Sequence, residues 1–384
     1  MSETPLEAYA ETGVLPGEES WPAPLYWLWL AELLGAANLH AGRVLDKYGT
    51  AQAAWEARDT AEFAALAGRG AMQRQRENGW TPGSFALRAA RCETCGIAVL
   101  TFEDPDYPLA LSRIPDPPLV LYVTGSPAVL NGGKTVGIVG ARKPTQYGAA
   151  AAASLGAALA RSGAVIVSGL ADGLDSEGHK AAVAANAPTI GVQGVPIDET
   201  YPAANVHLRR QIEAGGGAVV SEYPPGASID RKVSFLQRNR IIAALSLVLL
   251  VVEARQKSGT MSTVAHAERY GKPIFAVPGS IFSPLSEGTN GLLREGRARA
   301  ALDASGILGA LGLREAKPAA PAAEKKPLSA SARRVLACIG ARPVGMDILC
   351  EQTGLPTGTL LGALTSLEME EYILSLPGRQ YVLK

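Results

Sequence analysis

Cysteine and histidine are scarce in this sequence, which limits the chemistry that it can carry. The 384 residues include four cysteines and four histidines. So few cysteines in so long a chain are typical of a reducing compartment rather than of a disulfide framework. Cys92 and Cys95 form a C-x-x-C pair, but the pair ends a predicted helix, where a thiolate is not stabilised. Since the histidines also lack metal-ligand spacing, we expect neither a metal site nor a redox site.

Long apolar runs are also missing. No stretch approaches the ~20 apolar residues of a membrane-spanning helix. Residues 1–20, MSETPLEAYAETGVLPGEES, lack the basic and apolar regions of a signal peptide and are predicted to be disordered. We therefore expect a cytoplasmic protein with no membrane span.

No sign of charge predominates, because 36 Lys and Arg balance 36 Asp and Glu. An anionic partner would therefore have to meet a local patch rather than a basic protein. Residues 134–303 hold 18 Lys and Arg against 13 Asp and Glu. This local excess places the candidate anion-binding surface in the middle of the chain.

The length and the composition along the chain predict several domains. Residues 21–95 contain all five tryptophans and alternate short helices with Gly turns, like a SAM or helix-hairpin-helix bundle. The role of such a bundle is either contact with a DNA backbone or packing and protein contact. Residues 96–312 follow as the main domain. Residues 313–328, rich in Ala, Pro and Lys, form a predicted linker. Residues 329–384 have the helices and terminal β-ribbon of a winged helix.

Short apolar strands alternate with helices throughout the main domain. The strands are VGIV, VIVSG, TIGVQG, AVVSE, SLVLLVVEA and PIFAVPG. Strands that are apolar on both faces indicate a parallel sheet covered by helices on both sides. The predicted fold class is therefore α/β, with a doubly wound, Rossmann-like parallel sheet between the helical module and the winged helix. Ligands of such sheets bind at the carboxyl ends of the strands.

The first of these strand ends lacks the glycines of a dinucleotide site. In TVGIVGARKPTQYG, Arg142 and Lys143 stand where G-x-G-x-x-G would place its second and third glycines. Ser168 ends the second strand, where an acidic residue would bind a ribose. A nucleotide P-loop is also incomplete, because Ala128 precedes NGGKT in place of its first glycine. We therefore expect no cofactor, no nicotinamide-dependent oxidoreductase and no ATPase.

Glycines, cations and hydroxyls instead converge on the predicted strand ends and suit phosphate groups. Arg238, Asn239 and Arg240 form one such cluster, and an ion pair with Glu222 or Glu253 is the alternative role for one of its two arginines. Tyr147, Tyr201, Tyr223 and Phe235 are candidates for base stacking, although each is also suited to packing the loops. The predicted site residues are Gly140, Ala141, Arg142, Lys143, Ser168, Gly169, Leu170, Ala171, Gly173, His179, Lys180, Arg238, Asn239, Arg240, Ser258, Gly259 and Thr260.

At these residues the chain resembles the bacterial DNA-processing protein A (DprA/Smf) family. The resemblance covers residues 104–312 in ordered blocks: DPPLVLYVTG, GIVGARKPTQYG, SGLADGLDSEGHKAA, YPAAN, SEYPPG, RNRIIAALS, VVEARQKSGTMSTVAHA, and VPGS followed by EGTNGLL. It implies a protein without enzymatic activity that binds single-stranded DNA, protects incoming strands in natural transformation and loads a RecA-type recombinase for homologous recombination or repair. It also implies a homodimer formed through the Rossmann-like domain.

The resemblance assigns roles to individual residues. Arg142 and Lys180 would be the main phosphate contacts, and backbone amides would come from Gly140, Ala141, Gly169 and Gly173. Family members often carry Ser before the arginine of the first turn. At this position Ala141 lacks the hydroxyl, so that only its amide could serve.

A Rossmann-like phosphoribohydrolase of the lysine-decarboxylase-like group is the enzymatic alternative. Its P-G-G-x-G-T-x-x-E loop is matched in part by Ser258, Gly259 and Thr260. Ser262 and Thr263, however, stand where its glutamates belong. Hydrolysis would then require another carboxylate, and the candidates from the sequence are Glu253 and Asp172.

The predicted winged helix is poor in the charges that DNA recognition requires. Its third helix, near PTGTLLGALTSLEM, contains no Lys or Arg, and residues 328–384 hold five basic and five acidic groups. A DNA-binding helix carries cations toward phosphates. We therefore expect this domain to bind a protein partner.

Deletion of residues 316–384 should then leave most of the affinity for single-stranded DNA intact. The physical reason is that the predicted cations for phosphate lie upstream of the deletion. Fluorescence anisotropy with a labelled oligonucleotide measures the effect, with the full chain as the reference. A large loss of affinity would show that the charge argument is wrong.

Overall fold

The computed structural model describes four stretches of the chain: residues 21–316, 328–340, 343–370 and 372–384. The protein divides into two units between Ala316 and Lys317. The segment 1–20, predicted to be disordered, and residues 317–327 of the predicted linker lie outside the described residues.

Helices occupy residues 21–95, as the sequence predicts. α1 follows Pro22 and buries Trp27 and Trp29 almost completely. Thr50 and Thr60 each precede a helix and accept a hydrogen bond from a first-turn N–H, which satisfies one of its unpaired donors. The helices are α1 (Ala23–Leu34), α2 (His40–Tyr48), α3 (Ala51–Glu56), α4 (Ala61–Ala67), α5 (Arg69–Asn78) and α6 (Ala86–Thr94).

The C-x-x-C pair ends a helix, as the sequence predicts. Cys92 lies in α6, and Cys95 follows the last residue of this helix. Burial raises the pKa of the Cys92 thiol to about 11, so the thiol is protonated at neutral pH.

A nine-stranded sheet dominates the described residues 21–316, with the strand order β1-β2-β6-β5-β4-β3-β7-β8-β9. From β6 to β9 along this order all neighbours are parallel, while β1 and β2 form an antiparallel edge. The strands are β1 (Ala98–Thr101), β2 (Val120–Gly125), β3 (Lys134–Val139), β4 (Ala164–Ser168), β5 (Thr189–Val192), β6 (Ala218–Ser221), β7 (Val248–Val251), β8 (Ile274–Ala276) and β9 (Arg299–Ala300).

Helices cover both faces of this sheet, which confirms the predicted fold class. Consecutive residues of a central strand contribute to different cores: Ile138 of β3 packs in one cluster, and its neighbour Val139 packs in the other. The helices of this region are α7 (Leu109–Ser112), α8 (Gln146–Arg161), α9 (Leu174–Ala184), α10 (Val206–Ala214), α11 (Arg231–Leu245), α12 (Gly259–Arg269), α13 (Glu287–Arg294) and α14 (Ser305–Leu311).

The order of strands reverses at β3. The chain runs from β3 through β4 and β5 to β6 on one side and then returns through α11 to β7 on the other side. The loops that follow β3 and β7 therefore diverge at the carboxyl edge of the sheet. A doubly wound sheet places its ligand cleft at this reversal.

The N-terminal helices share a core with the sheet. Trp27 and Leu30 of α1 belong to the same buried cluster as Tyr122 of β2 and Val219 of β6. The predicted boundary at residue 95 consequently falls inside one unit, and its status as a domain boundary stays a prediction.

The second unit has the elements of a winged helix. A three-stranded antiparallel sheet has the order β10-β12-β11 within its described residues. The elements are α15 (Ala330–Leu336), β10 (Val344–Gly345), α16 (Met346–Thr353), α17 (Thr357–Met369), β11 (Ile373–Leu376) and β12 (Gln380–Leu383).

Helices long and apolar enough to cross a bilayer do not occur in the part of the chain that the structure describes.

Candidate nucleic-acid interface

A cleft of about 660 Å³ opens at the carboxyl ends of β3 and β7, between the start of α11 and the start of α12. It lies at the reversal of strand order, on the carboxyl edge of the sheet where the sequence predicts the site. The predicted residues that line it are Gly140, Ala141, Arg142, Ala171, Arg238, Asn239, Ser258, Gly259 and Thr260.

The cleft is strongly cationic. Among the described residues that line it, Arg142, Arg231, Lys232 and Arg238 are cations, and Asp175 is the one carboxylate. Four positive charges against one negative charge, in a concave site with low-dielectric walls, attract and concentrate anions.

Close backbone packing positions the turn that carries Arg142. Gly140 has no room for a Cβ, because that atom would overlap the side chain of Leu174. Gly173 has φ +77°, and a Cβ at this position would overlap the carbonyl oxygen of Ala141. These two glycines let the β3 loop lie directly against the start of α9, while the side chain of Arg142 stays exposed.

Glu253, which follows β7, holds the other end of the same loop. The side chain is buried, with 2% of the residue exposed. Its carboxylate accepts hydrogen bonds from the Thr145 N–H at 2.9 Å and from the Thr145 hydroxyl at 2.5 Å. Its backbone carbonyl accepts from the Ala141 N–H at 2.9 Å. Glu253 therefore ties the β3 loop to β7 on both sides of Arg142 and positions that arginine.

This arrangement bears on the enzymatic alternative. The Glu253 carboxylate is occupied by Thr145, and Asp172 is not part of the cleft lining. Asp175 does line the cleft, but its Oδ2 accepts a hydrogen bond from the Gly169 N–H at 3.1 Å. Burial raises the pKa of the Asp175 carboxyl, while the nearby Arg238 guanidinium opposes that rise. Neither carboxylate proposed from the sequence is presented to a substrate in this cleft.

Aromatic rings and guanidinium groups alternate along one wall. The Arg142 guanidinium carbon lies 5.2 Å from the centre of the Phe235 ring, and the Phe235 and Tyr201 ring centres are 5.3 Å apart. The Arg231 guanidinium carbon lies 5.0 Å from the Tyr201 ring centre. Such cation–π contacts hold the rings in place beside the phosphate-attracting groups.

The other two aromatic candidates do not line the cleft. The Tyr147 hydroxyl donates to the Pro278 carbonyl at 2.7 Å. The Tyr223 hydroxyl and Gln237 Oε1 are hydrogen-bonded at 2.7 Å. Both hydroxyls are therefore bonded within the protein, although the Tyr147 side chain remains exposed.

The start of α12 forms the opposite wall. Ser258 is its N-cap, but the side chain makes no capping bond and donates instead to the Arg255 carbonyl at 3.0 Å. The Thr260 hydroxyl donates to the Gly140 carbonyl at 3.1 Å, which joins this helix to the β3 loop. A helix N-terminus with unpaired N–H groups favours an anion.

Several predicted site residues are buried outside the cleft lining, and two of them, His179 and Arg240, were expected to contact an anion through their side chains. His179 is completely buried, and its Nδ1 lies 2.8 Å from the Thr189 hydroxyl oxygen. Burial lowers the pKa of His179 to about 3, so the ring is uncharged at neutral pH. The prediction that His179 contacts a bound anion was therefore wrong.

Arg240 is the second of these buried residues. It is 1% exposed, and its Nη2 donates to Glu222 at 2.6 Å while its Nε lies 3.4 Å from Asp116. The ion-pair alternative is therefore confirmed for this arginine, with Glu222 as a partner. A guanidinium held in this buried triad cannot contact a phosphate in the cleft.

Lys180 also lies outside the cleft. It is exposed and pairs with Glu177 at 2.8 Å, one turn earlier on α9. The other predicted residues outside the lining are Lys143, Ser168, Gly169, Leu170 and Gly173. Lys143 is exposed, whereas Ser168, Gly169 and Leu170 are buried.

Two of the amides predicted to bind phosphate are already used within the protein. The Ala141 N–H donates to the Glu253 carbonyl, and the Gly169 N–H donates to Asp175. α9 begins at Leu174 with Gly173 as its N-cap, so Asp175 lies in the first turn of the helix.

Sequence analysis missed the cations at the start of α11. Arg231 and Lys232 line the cleft, and Asp230 caps the helix by accepting from the Lys232 N–H at 2.9 Å. The available signal was helical periodicity. Lys232 lies three residues before Phe235 and seven before Asn239, on the same helix face.

Comparison with known proteins identifies the family. The model of the family "DNA recombination-mediator protein A" matches residues 98–312, more than half of the chain, and a DprA winged helix domain model matches residues 317–379. The chain belongs to the DNA-processing protein A family. It is 30% identical to the Smf protein of Synechocystis over 93% of this chain and 98% of that protein. It is 39% identical to the DprA of Bacillus subtilis over 52% of this chain and 67% of that protein.

Solved structures of the family are similar as well. DprA from Streptococcus pneumoniae has a TM-score of 0.62 and 32% identity, covering 74% of this chain and 97% of that chain. DprA from Helicobacter pylori, described for its unique single-stranded DNA binding mode, has a TM-score of 0.50 and 36% identity, covering 56% of this chain and 95% of that chain.

Replacing Arg240 with alanine should destabilise the protein strongly. The change leaves Asp116 and Glu222 buried without their cation, which costs about 3–5 kcal/mol of the free energy of unfolding. Arg231→Ala is the matched control, because its side chain is 52% exposed and its pair with Glu199 is worth at most ~1 kcal/mol. Urea denaturation measures both variants. Equal stability of the two would contradict the assignment of Arg240 as a buried brace.

Proposed function

We propose that this chain is a recombination mediator that binds single-stranded DNA in the cationic cleft, protects incoming strands in natural transformation and loads a RecA-type recombinase onto them. The observation that carries the proposal is the combination of four cations and two aromatic rings on a cleft at the carboxyl edge of the sheet. The binding of single-stranded DNA by the Helicobacter pylori relative supports the same ligand.

The cations at the mouth of the cleft bind the backbone of the strand. Arg142 on the β3 loop and Lys232 on α11 are exposed and line the cleft. Phosphates seated between them also lie near the N-terminus of α12. Salt-sensitive binding without sequence preference is the consequence of such contacts.

The aromatic wall accounts for a preference for single strands. Phe235 and Tyr201 line the cleft beside Arg142 and Arg231. A base can stack on such a ring only when it is unpaired, because the faces of paired bases are covered in a duplex. Duplex DNA therefore keeps the phosphate contacts and loses the stacking.

Loading of a recombinase requires that most bases remain accessible. A strand held at a few phosphates leaves the neighbouring nucleotides free for a second protein. We assign no catalytic residue to this function. A homodimer through the Rossmann-like unit and a protein partner for the balanced-charge winged helix complete the proposal.

Substituting both Arg142 and Lys232 with alanine should weaken binding of oligothymidine by about 100-fold or more. Each charge-assisted contact is worth ~1.5–3 kcal/mol, and ~1.4 kcal/mol is a factor of ten. The log-log salt slope should also become shallower by about 1.4, since each phosphate contributes ~0.7 on a single strand. Fluorescence anisotropy at several salt concentrations measures both quantities.

Lys134→Ala is the matched control, because this exposed lysine lies at the start of β3, at the opposite edge of the sheet from the cleft. It should change the affinity by no more than about twofold, as for a screened surface charge. Unchanged binding by the double variant, or equal affinity of the native protein for duplex and single strand, would overturn the proposal. Release of free base from a nucleoside monophosphate would instead support the phosphoribohydrolase alternative.

A further inference from the structure

An apolar tip projects from the loop that follows β8, outside the cleft. Ile281 is 83% exposed and Phe282 is 90% exposed. Neither residue lines the cleft. Single exposed apolar side chains are common on protein surfaces, so exposure alone does not make this tip a binding surface. Its support and its neighbours decide the question.

Hydrogen bonds hold the base of the loop that carries this tip. The Asn290 Nδ2 donates to the Gly279 carbonyl at 3.0 Å, and the Asn290 Oδ1 accepts from the Gly279 N–H at 3.1 Å. The Tyr147 hydroxyl donates to the Pro278 carbonyl at 2.7 Å. The loop therefore presents the Phe282 ring from a fixed base, which lowers the entropy lost when a ligand contacts that ring.

Exposed cations connect the cleft to this tip. Lys143 on the β3 loop and Arg255 and Lys257 on the β7 loop are exposed and form no ion pair with any described residue. The β7 loop lies between the other two loops, because β7 pairs with β3 on one side and with β8 on the other. The Gly288 N–H, at the start of α13, donates to the Ala254 carbonyl at 2.8 Å and joins the β7 loop to the segment after β8.

Positive charge predominates on these three loops. Residues 141–147, 254–258 and 277–287 contain four Lys and Arg against one carboxylate, Glu287. Free cations beside an exposed ring suit a ligand that carries both phosphates and aromatic bases. A symmetric contact between two copies of the chain would bring these cations close to their own counterparts, where they repel. The charge therefore favours a nucleic acid strand over a second copy.

We propose that the β8 loop is a second contact point for the bound strand, outside the cleft, at which Phe282 stacks against an unpaired base. The strand leaves the cleft beside Arg142, and its phosphates pass the exposed cations of the β3 and β7 loops. The inference rests on the proposed function. It adds that a strand long enough to reach the tip is held at two separate points, with the bases between them free for a second protein.

Three probes test the proposal with the full chain: oligothymidine of about 16 nucleotides, oligothymidine of about 4 nucleotides and a fully abasic oligomer of about 16 nucleotides. Phe282→Ser should weaken binding of the long oligothymidine by about 5-fold or more, because it removes the stacking of one base. Binding of the short oligothymidine and of the abasic oligomer should not change, since neither places a base on the tip. Fluorescence anisotropy measures all three affinities.

Two further substitutions separate stacking from general apolar contact. Phe282→Leu keeps an apolar side chain but has no aromatic face, so it should weaken the long oligothymidine as Phe282→Ser does. Phe282→Trp keeps an aromatic face and should bind the long oligothymidine at least as tightly as the native chain. Leu87→Ser is the matched control, because Leu87 is 70% exposed on α6, which leads into β1 at the opposite margin of the sheet. It should bind all three probes like the native chain.

The outcomes distinguish this inference from the proposed function. Equal binding of the long oligothymidine by Phe282→Ser and the native chain would overturn the second contact point and leave binding in the cleft in place. Absence of binding by the native chain to every probe would overturn the proposed function itself. Light scattering over a range of protein concentrations should show the same self-association for Phe282→Ser and the native chain. Weaker self-association, with an equal loss of affinity for all three probes, would identify the tip as an interface between copies and would overturn the inference.

Discussion

The reversal of strand order at β3 is the constraint on which the site depends. Because β4 and β7 lie on opposite sides of β3, the loops that follow β3 and β7 separate and open a cleft at the carboxyl edge of the sheet. A cleft alone does not position an arginine. Glu253 does so, since its carboxylate and carbonyl bind the β3 loop on both sides of Arg142. The Glu253 carboxylate, although it is next to a cationic cleft, is used to hold the β3 loop in place.

α11 illustrates how one helix combines stability and binding. Its Arg240 lies in a buried triad with Asp116 and Glu222, and its Arg238 lies at the cleft. Lys232, two turns earlier, is exposed at the mouth. The exposure of these cationic side chains therefore decreases along the helix, from Lys232 to Arg240. α11 thus positions the charged groups in the cleft, and its C-terminal residues, Ile241 to Leu245, are buried in the core.

The backbone amides have a smaller part in the site than the glycine pattern indicates. Small residues after β3 and β4 are expected where amides bind phosphate. In this structure the Ala141 and Gly169 amides are hydrogen-bonded to Glu253 and Asp175. Gly140 and Gly173 instead permit two loops to pack without a Cβ between them. The glycines therefore shape the cleft, and side chains supply most of its positive charge.

The sequence by itself determined the layout of the fold. Apolar strands alternating with helices require a parallel sheet with two covered faces, and such a sheet has its ligand edge at the strand ends. The winged-helix elements and the helical N-terminus follow from equally local patterns. The lining of the cleft was predicted in part, because Arg142, Asn239 and Thr260 are close to recognisable strand ends or helix starts in the chain.

Tertiary structure alone decided which cations line the cleft. Lys180 and Lys232 are both exposed lysines near a helix start, yet the packing of α11 against α12 directs only the second to the cleft. Likewise, His179 is buried because Thr189 and the sheet cover it, and Arg240 is buried because it meets Asp116 and Glu222. The burial and the ion pairs of these residues depend on partners that are distant in sequence. No local pattern encodes such contacts, since they form only when the helices and the sheet pack together.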